Sequence, residues 1–326
     1  MTVSITTEQT RSHLEILSCI ELDDKGSRCL GLLESQVENQ LLCAKCNASY
    51  SVIDGIPVLK ENAGSTLDEF YSQVYENISR LEAMREDNPR MEQAQTLWDL
   101  LPKFVAEHNI EGYSLEIGCG PGIFADRVPN YIGLDYALNS LLAKEFEAYN
   151  RVCASGDLLP FQSQVLSLIF SLNTLEHVPD LDRSIYEIDR VLKPGGYLVL
   201  RPAWNCTQYN CDGVDYFDYK DLNLKNKLIK LLLPVLKSKI YKALTRIPKR
   251  LLRETIFSKI QTVFWQRLNP RFDLMYKVSD AEAYASIDTH ECIYWFLKRD
   301  YECISHPTLI KRVVAGHDVV LLRKNA

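Results

Sequence analysis

A glycine-rich stretch and an acidic residue further along the chain carry the first chemical signal. Residues 116–122, Glu-Ile-Gly-Cys-Gly-Pro-Gly, follow an apolar run, and three glycines in five residues let a backbone turn tightly and approach a ligand closely. Asp135 ends the next apolar run, where a carboxylate can accept hydrogen bonds from two ribose hydroxyls. A strand-end acid can equally be an ordinary solvated residue. The pair predicts a ribose-bearing ligand near the strand ends.

The elements that must position these residues alternate between strands and helices. Apolar runs predict strands at residues 114–118, 131–135, 151–155, 165–172 and 197–201, and helices are predicted at residues 138–149 and 181–192. This alternation predicts βαβ units and a doubly wound parallel sheet of the α/β class. Ligands of such sheets lie outside the carboxyl ends of the strands. The chemistry is therefore expected at those ends.

Three further motifs follow in order, at residues 156–161, 173–180 and 192–196. Together with the glycine stretch they resemble the class I methyltransferases that use S-adenosylmethionine, over about residues 90–326. The resemblance implies a Rossmann-like, doubly wound, seven-stranded sheet. The family usually opens its fourth strand with Phe-Asp, where this chain has Leu166-Ser167, which affects the expected local structure. A dinucleotide-binding oxidoreductase is the rival, but Glu116 and the lack of Gly-x-Gly-x-x-Gly spacing count against it.

The resemblance also implies roles for individual residues. The glycines would line the methionine part of the cofactor, and Asp135 would hold its ribose. Asp157 would bind the adenine amino group, with Leu158 against the ring. Asn173 would approach the sulfonium, and Tyr71 would cap it by cation-π contact or simply pack within a helix. The implied cofactor-binding residues are Glu116, Gly118, Cys119, Gly120, Gly122, Asp135, Tyr136, Gly156, Asp157, Leu158, Asn173 and Tyr71.

His177 is the leading candidate for a catalytic base. Methyl transfer uses an activated donor, so a base is needed only for a protonated acceptor, and an imidazole suits that task near neutral pH. His177 could instead pack the following helix. Asp288 and His290 are an alternative catalytic or acceptor-binding pair, or a helix cap and a surface histidine. Glu176-His177 resembles the end of the Glu-x-x-Glu-His metal motif of some quinone-precursor methyltransferases, but Asn173 replaces the first Glu, so no catalytic metal is expected.

Four of the ten cysteines lie within the first fifty residues: Cys19, Cys29, Cys43 and Cys46. Residues 13–19, 42–46 and 54–59 resemble the small zinc-ribbon-like unit of the Trm112 type. A closed zinc site takes four ligands, commonly from two Cys-x-x-Cys hairpins, and only the second pair is intact here. Cys29 would then supply the fourth thiolate from a loop. The alternative is a metal-free β unit with buried thiols. Such a unit could recruit RNA or a partner, or brace the first catalytic helix.

The acceptor side is expected after the fifth strand, where residues 206–285 form a helical insertion of the lid kind. Its expected substrate-binding residues are His177, Trp204, Asn205 and Tyr209. Residues 225–253 carry ten Lys or Arg and no Asp or Glu. A basic amphipathic segment of this kind can be a lid helix with a solvated cationic face, a contact to a membrane or lipid-linked substrate, or a grip on RNA.

Length and composition bound the remaining expectations. The chain has 326 residues, 46% of them hydrophobic, and a net charge of -6, which excludes collagen-like, fibrous and wholly disordered proteins. The predicted organisation is a ribbon unit at 1–62, a helical linker at 63–110 and a methyltransferase domain at 111–326, in a cytoplasmic protein. The expected acceptor is a hydroxyl or amine of a small sugar-containing or specialised metabolite. The alternatives are an RNA methyltransferase and a non-catalytic methyltransferase-like scaffold.

Overall fold

The computed structural model describes residues 12–22, 26–37, 39–60, 70–71, 82, 84–85, 87, 89–260, 262–274 and 277–326. The chain divides into two compact units. Unit 1 comprises Met1–Leu172 and Arg183–Tyr197, and unit 2 comprises Asn173–Asp182 and Leu198–Ala326. These units differ from the expected boundaries at residues 62 and 110, because the cysteine-bearing strands and the glycine-rich stretch belong to the same unit.

Unit 1 begins with four short strands and continues into the expected sheet. The strands are β1 (Leu33–Val37), β2 (Gln40–Cys43), β3 (Ser49–Ile53), β4 (Ile56–Leu59), β5 (Tyr113–Ile117), β6 (Tyr131–Asp135), β7 (Asn150–Ala154) and β8 (Leu166–Leu172). They lie in the order β1-β2-β3-β4-β7-β6-β5-β8. The first four pair antiparallel, and the turn between β3 and β4 uses Asp54 and Gly55 at positive φ, as the Asp-Gly signal predicts.

The second half of this sheet is parallel from β4 to β8. Every residue of β6 is buried, as are Leu115, Ile117 and Phe170, which fits a parallel sheet covered on both faces. The predicted α/β class with a doubly wound parallel sheet is confirmed. The strand pairing of β4 with β7 was not foreseen, and it makes the N-terminal strands a continuation of the sheet.

Among the described residues, three helices accompany these strands: α1 (Pro89–Glu107), α2 (Leu138–Leu141) and α3 (Leu181–Val191). The apolar side of α1 buries Leu97, Leu101 and Phe104, as their spacing predicts. The predicted helix at 138–149 is much shorter, because α2 ends at Leu141 and a 3-10 turn follows at Lys144–Phe146. The next strand, β9 (Leu192–Arg201), begins in unit 1 and ends in unit 2.

Unit 2 holds the insertion and the last elements of the chain. These are α4 (Gln208–Cys211), α5 (Leu224–Leu236), α6 (Lys239–Thr255), β10 (Gln266–Arg267), β11 (Ala285–Ser286), α7 (Thr289–Leu297), β12 (Tyr301–Cys303), α8 (Leu309–Val314) and β13 (Val320–Lys324). The side chains of Asn223 and Ser238 cap α5 and α6. Strands β12 and β13 pair antiparallel. Among the described residues, none of the helices combines the length and apolarity that crossing a bilayer requires.

Candidate functional site

The glycine-rich stretch forms a tight loop at the carboxyl end of β5. Gly118, Gly120 and Gly122 all have positive φ, at 75°, 52° and 69°, a conformation that side chains disfavour. A Cβ added at Gly122 would lie 2.2 Å from the ring of Phe146, so this position has no room for a side chain. The loop therefore depends on glycine for both its backbone conformation and its packing.

Asp135 holds this loop against the end of β6. Its Oδ2 accepts a hydrogen bond from the Gly120 amide at 2.7 Å, and its Oδ1 accepts one from the Ala137 amide at 2.8 Å. The side chain is largely buried, with 9% of the residue exposed. A carboxylate oxygen has two lone pairs, so a group of this kind can accept more than one hydrogen bond at each oxygen.

The end of β7 contributes a second buried carboxylate. Asp157 accepts hydrogen bonds from Ser155 and, at 3.2 Å, from Nη2 of Arg183. The Gly156 carbonyl accepts a hydrogen bond from the Ser184 hydroxyl, and Leu158 is buried. Helix α3 thus fixes the loop after β7. The sequence analysis missed Arg183, because nothing local to it signals a partner twenty-six residues away.

Glu116 and Cys119 face the interior beside this loop. Glu116 is 2% exposed and accepts a hydrogen bond from the Tyr131 hydroxyl. Burial raises the pKa of the Cys119 thiol, and the nearby carboxylates of Asp135 and Glu116 raise it further, so the thiol stays protonated. Both side chains are buried next to the glycine-rich loop. The protonated Cys119 thiol therefore packs there like a small apolar side chain.

Tyr71 lies beside Tyr136, directly after β6. The two rings are 5.8 Å apart in an edge-on arrangement. Lys60 also lies here, with Nζ 4.7 Å from the centre of the Tyr136 ring and 3.2 Å from the Tyr136 carbonyl oxygen. The sequence analysis proposed Tyr71 and Tyr136 separately and missed Lys60. The structure brings all three together at the end of β6.

In unit 2, His177 lies among three carboxylates. Its Nε2 is 3.6 Å from Glu176 Oε1 and 4.0 Å from Asp280 Oδ1, and its Nδ1 is 3.8 Å from Glu282 Oε1. Glu176 is fully buried, which raises its pKa, and its Oε1 accepts the Ala203 amide at 3.0 Å. Asp280 and Glu282 come from the far end of the insertion, a long way along the chain from His177, so no local sequence pattern marks them as its neighbours.

This cluster also has the composition of a metal site. Glu176, His177 and Asp280 each offer a ligand atom, and the three atoms lie within 4.8 Å of one another. The sequence analysis expected no catalytic metal because Asn173 replaces a glutamate of the resembled motif. Asp280 supplies a third ligand atom from a distant part of the chain, and an imidazole with two carboxylates is a set that divalent ions accept.

Asp288 and His290, the alternative catalytic pair, have structural contacts instead. Asp288 caps α7 by accepting the amides of His290 and Glu291, and it pairs with Arg250 at 2.8 Å. His290 is fully buried, and this burial lowers its pKa to about 4. A surface histidine was the other expectation, and it is wrong for the same reason. The His290 imidazole offers no exposed face to an acceptor, and Asp288 is held by the helix cap and by Arg250, so a catalytic role of the pair stays a prediction.

The predicted acceptor residues differ in exposure. Trp204 is 3% exposed and its indole N–H donates to the Asp318 carbonyl at 2.8 Å, so its ring is packed inside unit 2. Asn205 has a positive φ, and its buried Nδ2 has no hydrogen-bond partner among the described residues. Tyr209 packs against the cluster of Val214, Leu222 and Leu233. Of these three, Asn205 keeps a free donor.

Asn173, the first residue after β8, adopts a left-handed conformation with φ 47°. Its amide donates to the Arg201 carbonyl at 3.0 Å, within unit 2. Asparagine tolerates this conformation better than most side chains, which accounts for the residue type at a sharp turn. The expected approach of Asn173 to a sulfonium stays a prediction.

The four N-terminal cysteines come together in unit 1. The Sγ atoms of Cys19 and Cys46 are 3.5 Å apart, those of Cys29 and Cys43 are 3.7 Å apart, and all four lie within 4.8 Å of one another. Zn–S bonds of about 2.3 Å in a tetrahedron put sulfur atoms about 3.8 Å apart. The loop residue Cys29 thus takes the place of the cysteine that the first pair lacks.

The surroundings of this thiol cluster favour a thiolate. Burial raises the pKa of Cys43, but hydrogen bonds from the backbone amides of Cys46 and Lys45 outweigh that effect and lower it to about 7. Lys45 also places its ammonium group 2.9 Å from the Cys29 carbonyl. Burial raises the pKa of Cys19, which hydrogen bonds to the Tyr50 hydroxyl at 3.0 Å. The lowered pKa of Cys43 favours its thiolate near neutral pH.

The cysteine-bearing segment is tied to the sheet through two partly buried arginines. Arg28 pairs with Glu187 of α3 and donates to the Leu159 carbonyl at 3.2 Å. Arg190 pairs with the same Glu187 at 2.6 Å and donates to the Leu159 carbonyl at 3.0 Å. The N-terminal strands thus brace the loop after β7, which carries Asp157. The sequence analysis had expected them to brace the first helix.

Comparison with known proteins identifies the class. Residues 115–200 match the family model described as "Methyltransferase domain". An uncharacterised protein of Methanocaldococcus jannaschii is 38% identical over 31% of this chain and 44% of its own length. The sterol 4-C-methyltransferase of Caenorhabditis elegans is 26% identical over 32% of this chain and 35% of its own length. The crystal structure of the PH0226 protein of Pyrococcus horikoshii covers 75% of this chain and 95% of its own, at 14% identity and a TM-score of 0.42.

The fold is a Rossmann-like α/β arrangement, and the loops at the carboxyl ends of β5, β6 and β7 form its candidate ligand site. Within it, residues 115–200 are similar to methyltransferase domains. The matched segments cover less than half of the length of each of these two sequence relatives. They therefore concern this domain alone.

Proposed function

We propose that the protein is an enzyme that transfers the methyl group of S-adenosylmethionine to a hydroxyl or amine of a small molecule. The observation that carries this proposal is the loop of residues 118–122 that Asp135 holds at the end of β5. The donor set fits the cofactor, because buried carboxylates complement a sulfonium cation and a ribose diol. Positive-φ glycines leave backbone space for its methionine part.

When bound, the cofactor supplies an activated methyl group, so the protein mainly has to orient the acceptor and remove its proton. Asp135, Asp157 and Leu158 would hold the cofactor, with Tyr71 and Tyr136 beside its ribose end. His177 would take the proton from the acceptor, and the carboxylates of Glu176 and Glu282 would orient its ring. The buried amide of Asn205 would donate a hydrogen bond to the acceptor.

Cofactor binding is the direct test, and it also separates this proposal from a non-catalytic scaffold. Isothermal titration of the full chain with S-adenosylmethionine should show a single site. Asp135→Ala should weaken binding by roughly tenfold or more, because it removes the ribose contact and frees the Gly120 amide. Asp99→Ala, at an exposed acid on α1, is the matched control and should bind normally. A wild-type protein without measurable binding would leave only the scaffold.

We infer in addition that Cys19, Cys29, Cys43 and Cys46 bind a structural zinc ion in a Trm112-like unit. The support is the fit of four sulfur atoms to tetrahedral spacing and the lowered pKa of Cys43. Four protein ligands leave no open coordination position, so the ion would stabilise the fold and would take no part in catalysis. An RNA acceptor is less well supported, since Arg250 and Arg253 of the basic segment form ion pairs inside unit 2.

A further inference from the structure

Residues 224–264 present apolar side chains to solvent. Among the residues that the structure describes, 23 large apolar side chains are exposed, and 14 of them lie in this segment. Five occur on α5 at helical spacing and are 54% to 78% exposed, and Ile240 and Leu244 of α6 are 73% and 70% exposed. We call the following seven residues the aliphatic face: Leu224, Leu228, Leu231, Leu232, Val235, Ile240 and Leu244.

The inward side of α6 is basic, which is the reverse of an ordinary surface helix. Arg250 is 3% exposed, donates to the carbonyls of Val313 and Ala315, and pairs with Asp288. Arg253 pairs with Glu291 at 3.3 Å. These contacts attach α6 to the rest of unit 2 through its arginines, and the aliphatic side chains of Ile240 and Leu244 face solvent. Lys239 and Lys249 of the same helix are exposed, so its cationic residues lie on both sides, and the lid helix with a solvated cationic face stays a prediction.

Exposed lysines accompany the aliphatic face. Lys225, Lys239 and Lys249 are exposed, and residues 225–253 contain no acid. A lysine can lay its methylene stem along apolar surface while its ammonium group stays in a polar layer. Aliphatic residues next to lysines are the pattern of helices that lie in the headgroup region of anionic membranes.

We propose that the aliphatic face docks the protein on the surface of an anionic lipid bilayer, with α5 and α6 lying in the plane of the headgroups. A cavity of about 470 Å³ supports a lipid partner, because its walls include the exposed side chains of Leu252, Phe257 and Phe264. The proposal concerns unit 2 alone and does not depend on methyl transfer.

Two other occupants fit the face less well. A second copy of the chain would bring the same patch against itself, and ten positive charges without an acid in residues 225–253 would then repel one another. The phosphates of a nucleic acid would pair with the lysines, but the seven aliphatic side chains would stay in water. None of the seven has an aromatic ring on which a base could stack.

Vesicle flotation of the full chain tests the proposal. Vesicles of equimolar phosphatidylcholine and phosphatidylglycerol should bind the protein at least roughly tenfold better than vesicles of phosphatidylcholine alone. The double variant Leu228→Glu/Leu244→Glu should lose roughly tenfold or more of that binding, because it places two carboxylates in the face. Both side chains are exposed, so the fold should tolerate the change, and circular dichroism verifies it.

Ile53→Glu is the matched control, since this residue is 41% exposed but lies on β3 of unit 1, and it should bind vesicles like the wild type. Equal flotation of the wild type and the double variant would overturn the proposal. So would a dimer in light scattering that the double variant converts to a monomer, or a wild type that binds transfer RNA but no anionic vesicle. Titration with S-adenosylmethionine reports separately on the proposed activity.

Discussion

At the scale of single residues, His177 carries the most specific chemical prediction. His177→Asn should lower kcat by about 10²–10⁴-fold, because it removes the group that takes the acceptor proton. Its affinity for S-adenosylmethionine should not change, since the proposed cofactor contacts lie in unit 1. Steady-state kinetics with calorimetry measures both quantities.

Glu282→Gln is the matched comparison for His177, because this carboxylate lies 3.8 Å from Nδ1 and has the role of a positioning residue. It should lower kcat by a smaller factor than His177→Asn. A His177→Asn enzyme with the wild-type kcat would contradict the role of a base for this histidine.

Gly122 gives a second prediction at this scale. Gly122→Ala should destabilise unit 1 by about 2–4 kcal/mol, because a left-handed residue gains a side chain and its Cβ meets the Phe146 ring at 2.2 Å. Gly55→Ala is the control, since Gly55 has φ 77° but no neighbour within 4 Å of an added Cβ, and it should cost only about 1 kcal/mol. Urea unfolding measures both.

The clash has its own test. Phe146→Leu should recover part of the stability that Gly122→Ala loses, because the smaller side chain makes room for the Cβ. A double variant in which the two losses simply add would show that the ring is not the obstacle.

At the scale of elements, α7 carries a pH prediction. The pKa of His290 is lowered from 6.5 to about 4 by burial, so the unfolded chain binds a proton in a range where the folded chain does not. Stability should therefore fall as the pH drops from 6.5 toward 4, by up to about 3 kcal/mol from this residue. Above pH 6.5 His290 is mostly neutral in both the folded and the unfolded chain, so it contributes no pH dependence to the free energy of unfolding.

Urea unfolding of the wild type and His290→Leu across this range isolates that contribution. The variant should lose the contribution of His290 to the pH dependence, while that of His317, whose pKa burial also lowers, remains. Asp288, whose pKa is lowered, loses its stabilising effect only below 3.8 and so falls outside the window. Parallel profiles for wild type and His290→Leu would contradict the prediction.

The elements also show what the sequence could and could not predict. Strands β5 to β8 and the face of α1 were predictable, because buried parallel strands and amphipathic helices leave periodic apolar signals. The grouping of the four cysteines was predictable from residue type and spacing, whereas the role of His177 stays a prediction. Arg183, Lys60 and Asp280 were not, since their partners lie far away along the chain. The pairing of β4 with β7 depends on backbone register, for which a sequence carries no local mark.

At the scale of the whole molecule, zinc should stabilise the N-terminal strands. Removal of metal with a chelator, or Cys43→Ser, should lower the melting temperature by several degrees, because binding energy at a closed site is folding energy. Cys303→Ser, at a buried thiol of unit 2, is the control. Elemental analysis should give about one zinc per chain in the wild type and the control, and less in Cys43→Ser. A wild type purified without zinc at unchanged stability would contradict the inference.

The parallel pairing of β4 with β7 has a thermodynamic consequence for the two sites of unit 1. The thiol cluster and the loop after β7 share one sheet, and Arg28 and Arg190 join Glu187 to that loop, so an ion that orders the N-terminal strands should also order the loop proposed to meet the cofactor. The two binding equilibria are then linked. Zinc should tighten the binding of S-adenosylmethionine, and S-adenosylmethionine should slow the loss of zinc by the same coupling free energy. The metal content of the protein would set its apparent affinity for the methyl donor.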